Sequence, residues 1–390
     1  MRGKRDDRQP MFFAIDVEDR IRADHPLRPI KATVDAILSE MSPRFEAAYA
    51  KTGRPSVPPE VLLKALLLQC LYSVRSERQL VERIDTDLLF RWFCGLDPAE
   101  AVFDATAFTH NRPRLDEHGI TSAFFDAVTR RALETGLCSD EHFSVDGTLI
   151  ESHASIKSFK PVDEPQDLKR PGGGGSGGTS GGGGFKPRNA EVDFHGQKRS
   201  NATHRSTTDP EARLYKKGDG QGARLCHMGH VLSENRHGLI LGVTVSEANG
   251  RAECAAALTM LDDLQERQQV RPTTLGADKG YDSGPWMMAL EDRGITPHTA
   301  MRGGPIGGVC RRWKKDLPRI AARQRMADRT REVGYVLSQR ARKKVEEGIG
   351  WCKTIAGLAR SRHVGRWKIT QQLQLAAAAY NLVRMRKLMA

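Results

Sequence analysis

Residues 143–150 read Phe-Ser-Val-Asp-Gly-Thr-Leu-Ile. Their β-branched and aromatic content and near-alternation predict a strand. Asp is depleted from strand interiors, so an acid at position 146 needs a reason to be there. Strand neighbours face opposite sides, so Asp146 opposes Val145. On the N-terminal side, 122–134 predicts a helix with Phe125, Val128, Ala132 and Leu133 on one side and Gly136 as its stop. On the C-terminal side, 223–232 and 239–246 alternate like strands around the turn 234–238, a hairpin. Residues 252–264 then predict a helix, 273–277 a strand running into Asp278, 285–293 a helix, 295–300 a strand, and 338–358 and 370–388 helices. That order predicts a mixed sheet flanked by helices, an α+β class.

Asp278 ends its strand in Gly276-Ala277-Asp278-Lys279-Gly280-Tyr281-Asp282. Carboxylates at strand ends of such sheets commonly face the ligand crevice. Gly280 lets the backbone turn tightly. Asp282 reads as a helix cap before Pro285 and stands outside the site. A third acid comes from the 338–358 helix, where each residue turns by about 100°. With Val345 at the centre of a buried stripe containing Ala341, Ile349, Cys352 and Ala356, Glu346 falls on its margin and Glu347 faces solvent. Gln339, Arg342 and Lys353 fall along Glu346's line. Pairing of Glu346 with Arg342 four residues earlier is the plain alternative. Three converging carboxylates suit two hard divalent cations, Mg²⁺ or Mn²⁺, for in-line displacement at phosphorus. Cys226, His227 and His230 fall on mixed faces of a strand without a fourth zinc ligand.

The 61 Lys and Arg against 48 Asp and Glu give a net charge of +13. Residues 301–370 hold 19 basic and 5 acidic side chains, so this segment carries the whole imbalance. Such a face suits phosphates. Arg342, Lys343, Lys344 and Lys353 are the DNA-binding candidates, with Lys343 and Lys344 turned away from the Glu346 line toward backbone phosphate. Seven widely spaced cysteines without a CxxC pair suit a reducing cytosol. No apolar run approaches the roughly 20 residues that span a bilayer, and no signal peptide is read.

Upstream, Pro58-Pro59 opens a helix over 60–74, Ser76 and Gln79 form a capping-box pattern for a second, and a third starts near Thr86 or Asp87 and stops at Gly95. Residues 1–115 therefore predict a helical N-terminal domain, for reading DNA ends or for dimerisation. Residues 116–365 form the catalytic domain, with a flexible insertion over 151–222 that contains ten glycines in the thirteen residues 172–184. Residues 366–390 predict a C-terminal helix packed on the catalytic domain.

The strand order resembles the ribonuclease-H-like fold. The motifs around Asp146, Asp278 and 342–353 together resemble the DDE transposases of bacterial insertion sequences, in the group related to insertion sequence number five. Its third block is usually Tyr-x2-Arg-x3-Glu-x6-Lys. Arg342, Glu346 and Lys353 match it, and Gln339 stands where Tyr is usual. The stretch 212–218 and the helical region 53–114 also look familial. The resemblance implies Mg²⁺-dependent cleavage at terminal inverted repeats, strand transfer into target DNA, action as at least a dimer on DNA, and a cytoplasmic, nucleoid-associated place. A ribonuclease-H-like nuclease without strand transfer, and a non-catalytic DNA-binding derivative of a transposase, are the competing readings.

Overall fold

The computed structural model describes residues 16–50, 52–53, 55–162, 199–216, 222–250, 252–302 and 317–389. The chain divides into two units, Met1–Ile120 with Leu382–Ala390, and Thr121–Asn381. The first holds α1 (Val17–Arg20), α2 (Leu27–Glu40), α3 (Ser42–Ala48), α4 (Pro59–Leu71), α5 (Glu77–Thr86), α6 (Leu88–Cys94) and α7 (Thr106–Glu117). Helix α4 is its centre, with Leu62, Leu63, Ala65, Leu66, Leu67 and Leu68 all buried. The punctuation follows the sequence. Ser76 Oγ accepts from Gln79 N, and Gln79 reaches back to Arg75 N. Asp87 caps α6 by accepting from Leu89 N, and Gly95 closes it at φ +76°.

The second unit opens with α8 (Ile120–Glu134) and continues with β1 (His142–Glu151), β2 (Phe159–Pro161), β3 (His204–Ser206), β4 (Arg213–Tyr215), β5 (Arg224–Glu234) and β6 (Ile240–Glu247). Then come α9 (Ala252–Gln268), β7 (Thr274–Ala277), α10 (Gly284–Asp292), β8 (Thr296–Thr299), α11 (Leu317–Arg329), α12 (Val333–Ala341), α13 (Lys343–Thr354) and α14 (Arg366–Met389), whose residues from Leu382 on count with the first unit. The main strands lie in the order β6-β5-β1-β7-β8, with β4 beside the start of β5. The β6-β5-β1 pairings are antiparallel and β1-β7-β8 parallel. The expected mixed sheet flanked by helices is therefore present.

Alternation along β1 sorts the helices onto two faces. A Cβ placed on Gly147 would point at Glu253 of α9, whereas Thr148 meets Lys353 of α13. Val145 and Gly147 thus face α9, and Ser144, Asp146 and Thr148 face α12 and α13. Gly276 explains why α12 lies so close, because a Cβ there would sit 3.1 Å from Ser338 Oγ. Helix α14 lies on the same face as α13. Leu373 packs over Gly229, and buried Asn381 both donates to Ile240 O and accepts from Ile240 N.

Three expectations need correction. The insertion is not irregular throughout: β2 pairs with β3, and β4 extends the sheet. Its described ends are held by a buried network in which Ser152 Oγ (2.7 Å) and His227 Nε2 (2.8 Å) both contact Asp209. The glycine tract 172–184 lies outside the described residues. The segment expected as one helix over 338–358 is two, α12 and α13, joined at Arg342, and α11 precedes them. The join is tight, since Arg342 keeps helical angles and Val345 N bonds to Arg342 O three residues back. Asp282 does not cap α10. Its side chain is covered and accepts from both Arg323 Nε (3.1 Å) and Nη2 (2.9 Å).

Candidate active site

The register of two parallel strands brings the first two acids together. Strand β7 pairs with β1 at His142–Thr274, Phe143–Leu275 and Ser144–Gly276. The pairing ends at Ser144–Gly276; carried two residues further, its register points Asp146 toward Asp278, which is one residue past the end of β7 and caps the turn that follows. Neighbouring strands lie about 4.8 Å apart, so the strand ends that carry the two acids are close. Each aspartate also fixes the turn after it. Asp146 Oδ1 accepts from Gly147 N at 2.8 Å, and Asp278 Oδ1 accepts from Gly280 N at 2.7 Å. One carboxylate oxygen on each remains for another partner.

Burial pushes the Asp146 carboxyl up to about 6. The Gly147 N–H and the Arg342 cation work against that shift, and the negative charges of Asp278 and Glu346 add to it. Arg342 Nη1 stands 3.7 Å from Asp146 Oδ2, and its Nη2 donates to Glu346 Oε1 at 3.2 Å. Its Nε is buried without a partner. The i,i+4 pairing of Arg342 and Glu346 is therefore present, and through that one guanidinium Glu346 is tied to Asp146. Glu346 is 56% exposed, in the first turn of α13. Glu347 is exposed, whereas Val345, Ile349, Cys352 and Ala356 are buried, but Ala341, expected in the same stripe, ends α12 and is only partly buried.

The cations divide. Lys353 Nζ donates to Thr148 Oγ1 at 3.1 Å, two residues beyond Asp146 on the same face. Lys343 is exposed. Lys344 does not project to solvent as expected. Its ammonium bonds to Asn235 O at 2.9 Å and to Arg236 O, in the β5–β6 turn, and its stem packs 3.3 Å from where a Gly238 Cβ would lie. The same turn is held by buried Glu234, which accepts from the N–H groups of Arg236, His237 and Leu239. Gln339 Nε2 donates to Ala277 O at 3.3 Å and to His298 O. It ties the ends of β7 and β8 to α12, immediately before Asp278.

One acid in this neighbourhood was not read from the sequence. Glu253, in the first turn of α9, reaches Gly147 and Gly280 from the opposite face of the sheet. Burial raises its pKa, with the charges of Asp278 and Asp146 adding to the rise. The available signal was a glycine close after each aspartate, since glycine in a strand marks a close approach.

The donor set fits a hard divalent cation: carboxylate oxygens, two of them uncommitted, with crowded negative charge faced by one guanidinium. Among the described residues, no three His, Cys, Asp or Glu side chains stand close enough to enclose an ion as placed. His227 and His230 are instead committed to Asp209 and Ser246. Among the described residues, no helix is long and apolar enough to cross a membrane.

Residues 15–114 match the family described as Transposase domain (DUF772), and residues 139–382 match Transposase DDE domain. No curated protein matches the chain. The Mos1 mariner paired end complex with Mn is similar over 85% of this chain and 88% of that chain, at 11% identity and a TM-score of 0.19, a likeness too slight to carry an argument. The Transposase DDE domain match covers more than half of the chain and contains both strand aspartates and the α13 glutamate, and the chain belongs to the DDE transposases, enzymes that cut and join DNA by divalent-metal-dependent phosphoryl transfer.

Proposed function

We propose that Asp146, Asp278 and Glu346 are the catalytic carboxylates, and that they hold two Mg²⁺ ions, replaceable by Mn²⁺. The observation that carries this reading is the β1–β7 register, which points Asp146 toward Asp278 at the end of the shorter strand. When bound, the cations supply charge neutralisation and an activated oxygen nucleophile for in-line displacement at phosphorus. The protein's own part is positioning. Asp146 and Asp278 present one uncommitted oxygen each from a stiff sheet. Arg342 aligns Glu346 with Asp146, and its spare Nε–H suits a phosphate oxygen. Lys353, fixed by Thr148, extends the cationic wall. Gln339 takes the place of the usual tyrosine as a clamp on the strand ends.

The substrate is double-stranded DNA carrying the element's terminal inverted repeats, and the second substrate is target DNA. The element belongs to the group related to insertion sequence number five. Residues 1–115 read the ends or pair two protomers, and the working unit on DNA is at least a dimer in the bacterial cytoplasm at the nucleoid. The test pairs a duplex bearing the element's own ends with a second duplex and Mg²⁺. Cleavage at the repeat followed by joining of the 3′ end is the expected result. Cleavage without any joined product would reduce the chain to a nuclease.

A further inference from the structure

Asp146 and Glu346 are approached from the α12–α13 face of the sheet, yet Glu253 arrives from the other face. The reason it can do so is glycine. A Cβ on Gly147 would lie 2.7 Å from Glu253 Oε1, and a Cβ on Gly280 would lie 3.3 Å from Glu253 Oε2. A Cβ carbon does not tolerate the first distance, so any side chain at 147 would displace the carboxylate. Gly147 directly follows Asp146, and Gly280 follows Asp278 by two residues. The two glycines thus form a cradle that admits one carboxylate beside both aspartates, at the notch where β7 and β8 both stop.

Glu253 has no hydrogen-bond donor or ion-pair partner among the described residues. The backbone N–H groups of Gly147 and Gly280 are already taken by Asp146 and Asp278. An acid in the first turn of a helix gains a little from the helix dipole. That gain does not require a partly buried position beside two like charges. A divalent cation in the notch would resolve the repulsion.

We propose that Glu253 is a fourth carboxylate of the cation site, holding an ion from the α9 face opposite Arg342 and Glu346. This rests on the reading of Asp146 and Asp278 as ion ligands. Glu346 is exposed and committed to Arg342, so Glu253 shares with the aspartates the task of binding an ion before DNA arrives. The cradle also gives Gly147 a function, namely to leave room for an acid from another element.

The test measures ion binding by the full-length protein without DNA, by titrating Mn²⁺ and following its electron spin resonance signal. The chain as it stands is compared with Glu253→Gln, Glu253→Asp and Asp146→Asn. The proposal expects Glu253→Gln to weaken Mn²⁺ binding at least fivefold, with Glu253→Asp recovering part of the loss. A Glu253→Gln affinity within twofold of the parent, while Asp146→Asn loses binding, overturns the role of Glu253 and leaves the aspartate reading intact. Unchanged binding in both Glu253→Gln and Asp146→Asn overturns the aspartate reading itself. Thermal melting in chelator guards against a merely structural role. Loss of a helix-capping charge would lower the melting temperature of Glu253→Gln, whereas relief of repulsion raises it.

Discussion

Asp146 and Asp278 are held by strands, and Glu346 is held by a helix. The strand pair is set by a parallel register, each carboxylate locked by the N–H of a glycine one or two residues on. Glu346 sits on the first turn of α13, more than half exposed, and its one partner at the site is Arg342 at the join of two helices. A sheet places atoms to within the stiffness of its hydrogen bonds. A helix start can tilt. On the proposed reading, this difference becomes a division of labour in which the aspartates form a standing platform and Glu346 completes the site when DNA and cations are present.

The sharpest way to break that division is at the helix. Glu346→Ala should abolish cleavage and joining while leaving DNA binding in place, because the acid serves the ions rather than the duplex. Glu347→Ala should keep activity within about twofold of the parent, a small change in barrier. A dead Glu347→Ala beside an active Glu346→Ala would reverse the assignment.

Arg342 links the two regions, so its loss should be graded rather than total. Arg342→Ala should cut single-turnover cleavage by about a hundredfold, as for loss of one preorganised donor at a developing charge. Equilibrium binding of duplex should fall much less. Equal losses in both would place Arg342 on the DNA path instead of beside the reacting phosphate.

The platform has a cost in its empty form. Asp146 is raised to about 6, first by burial. Its ionised form is therefore disfavoured by folding. The penalty is absent below about pH 4, grows toward pH 6, and is full above it. In chelator at pH 7.5, Asp146→Asn should raise the melting temperature by about 5 °C, and at pH 4 it should raise it by nothing measurable. An equal gain at both pH values would mean that packing, not charge, is responsible. Cation affinity of the parent should correspondingly weaken as pH drops below about 6, since protons compete for Asp146.

The smallest effects separate Lys343 from its neighbour. Exposed Lys343 is free to meet backbone phosphate, and Lys343→Ala should lower the slope of log K against log salt by about one. Lys344→Ala should leave that slope unchanged and instead cost about 1–2 kcal/mol of stability, because its ammonium holds two carbonyls of the β5–β6 turn. A salt slope that falls for Lys344→Ala would restore it to the DNA surface.

The legible parts of the sequence were those governed by local chemistry. β1, the β5–β6 hairpin, β7 and the caps at Ser76, Asp87 and Gly95 follow from alternation, turn residues and side-chain acceptors. The choice of Glu346 over Glu347 follows from helical periodicity against a buried stripe. What escaped depends on contacts between distant residues. Nothing near Lys344 announces that residues 235 and 236 will offer it carbonyls. Nothing near Asp282 announces Arg323. Glu253 looks like an ordinary acid in a first helical turn until Gly147 and Gly280 are placed beside it. The break at Arg342 has no proline or glycine to mark it, and the pairing of β2 with β3 joins segments more than forty residues apart.

The central claim is that the β1–β7 register builds the ion platform. It is tested most directly by single-turnover cleavage of an end-bearing duplex across a Mg²⁺ titration, with DNA binding checked in parallel. The parent should cleave only with the divalent ion. Asp146→Ala and Asp278→Ala should each lose about a thousandfold or more at every Mg²⁺ concentration, on the order of 4 kcal/mol of barrier, while binding the duplex normally. Cleavage by either variant within tenfold of the parent would contradict the account.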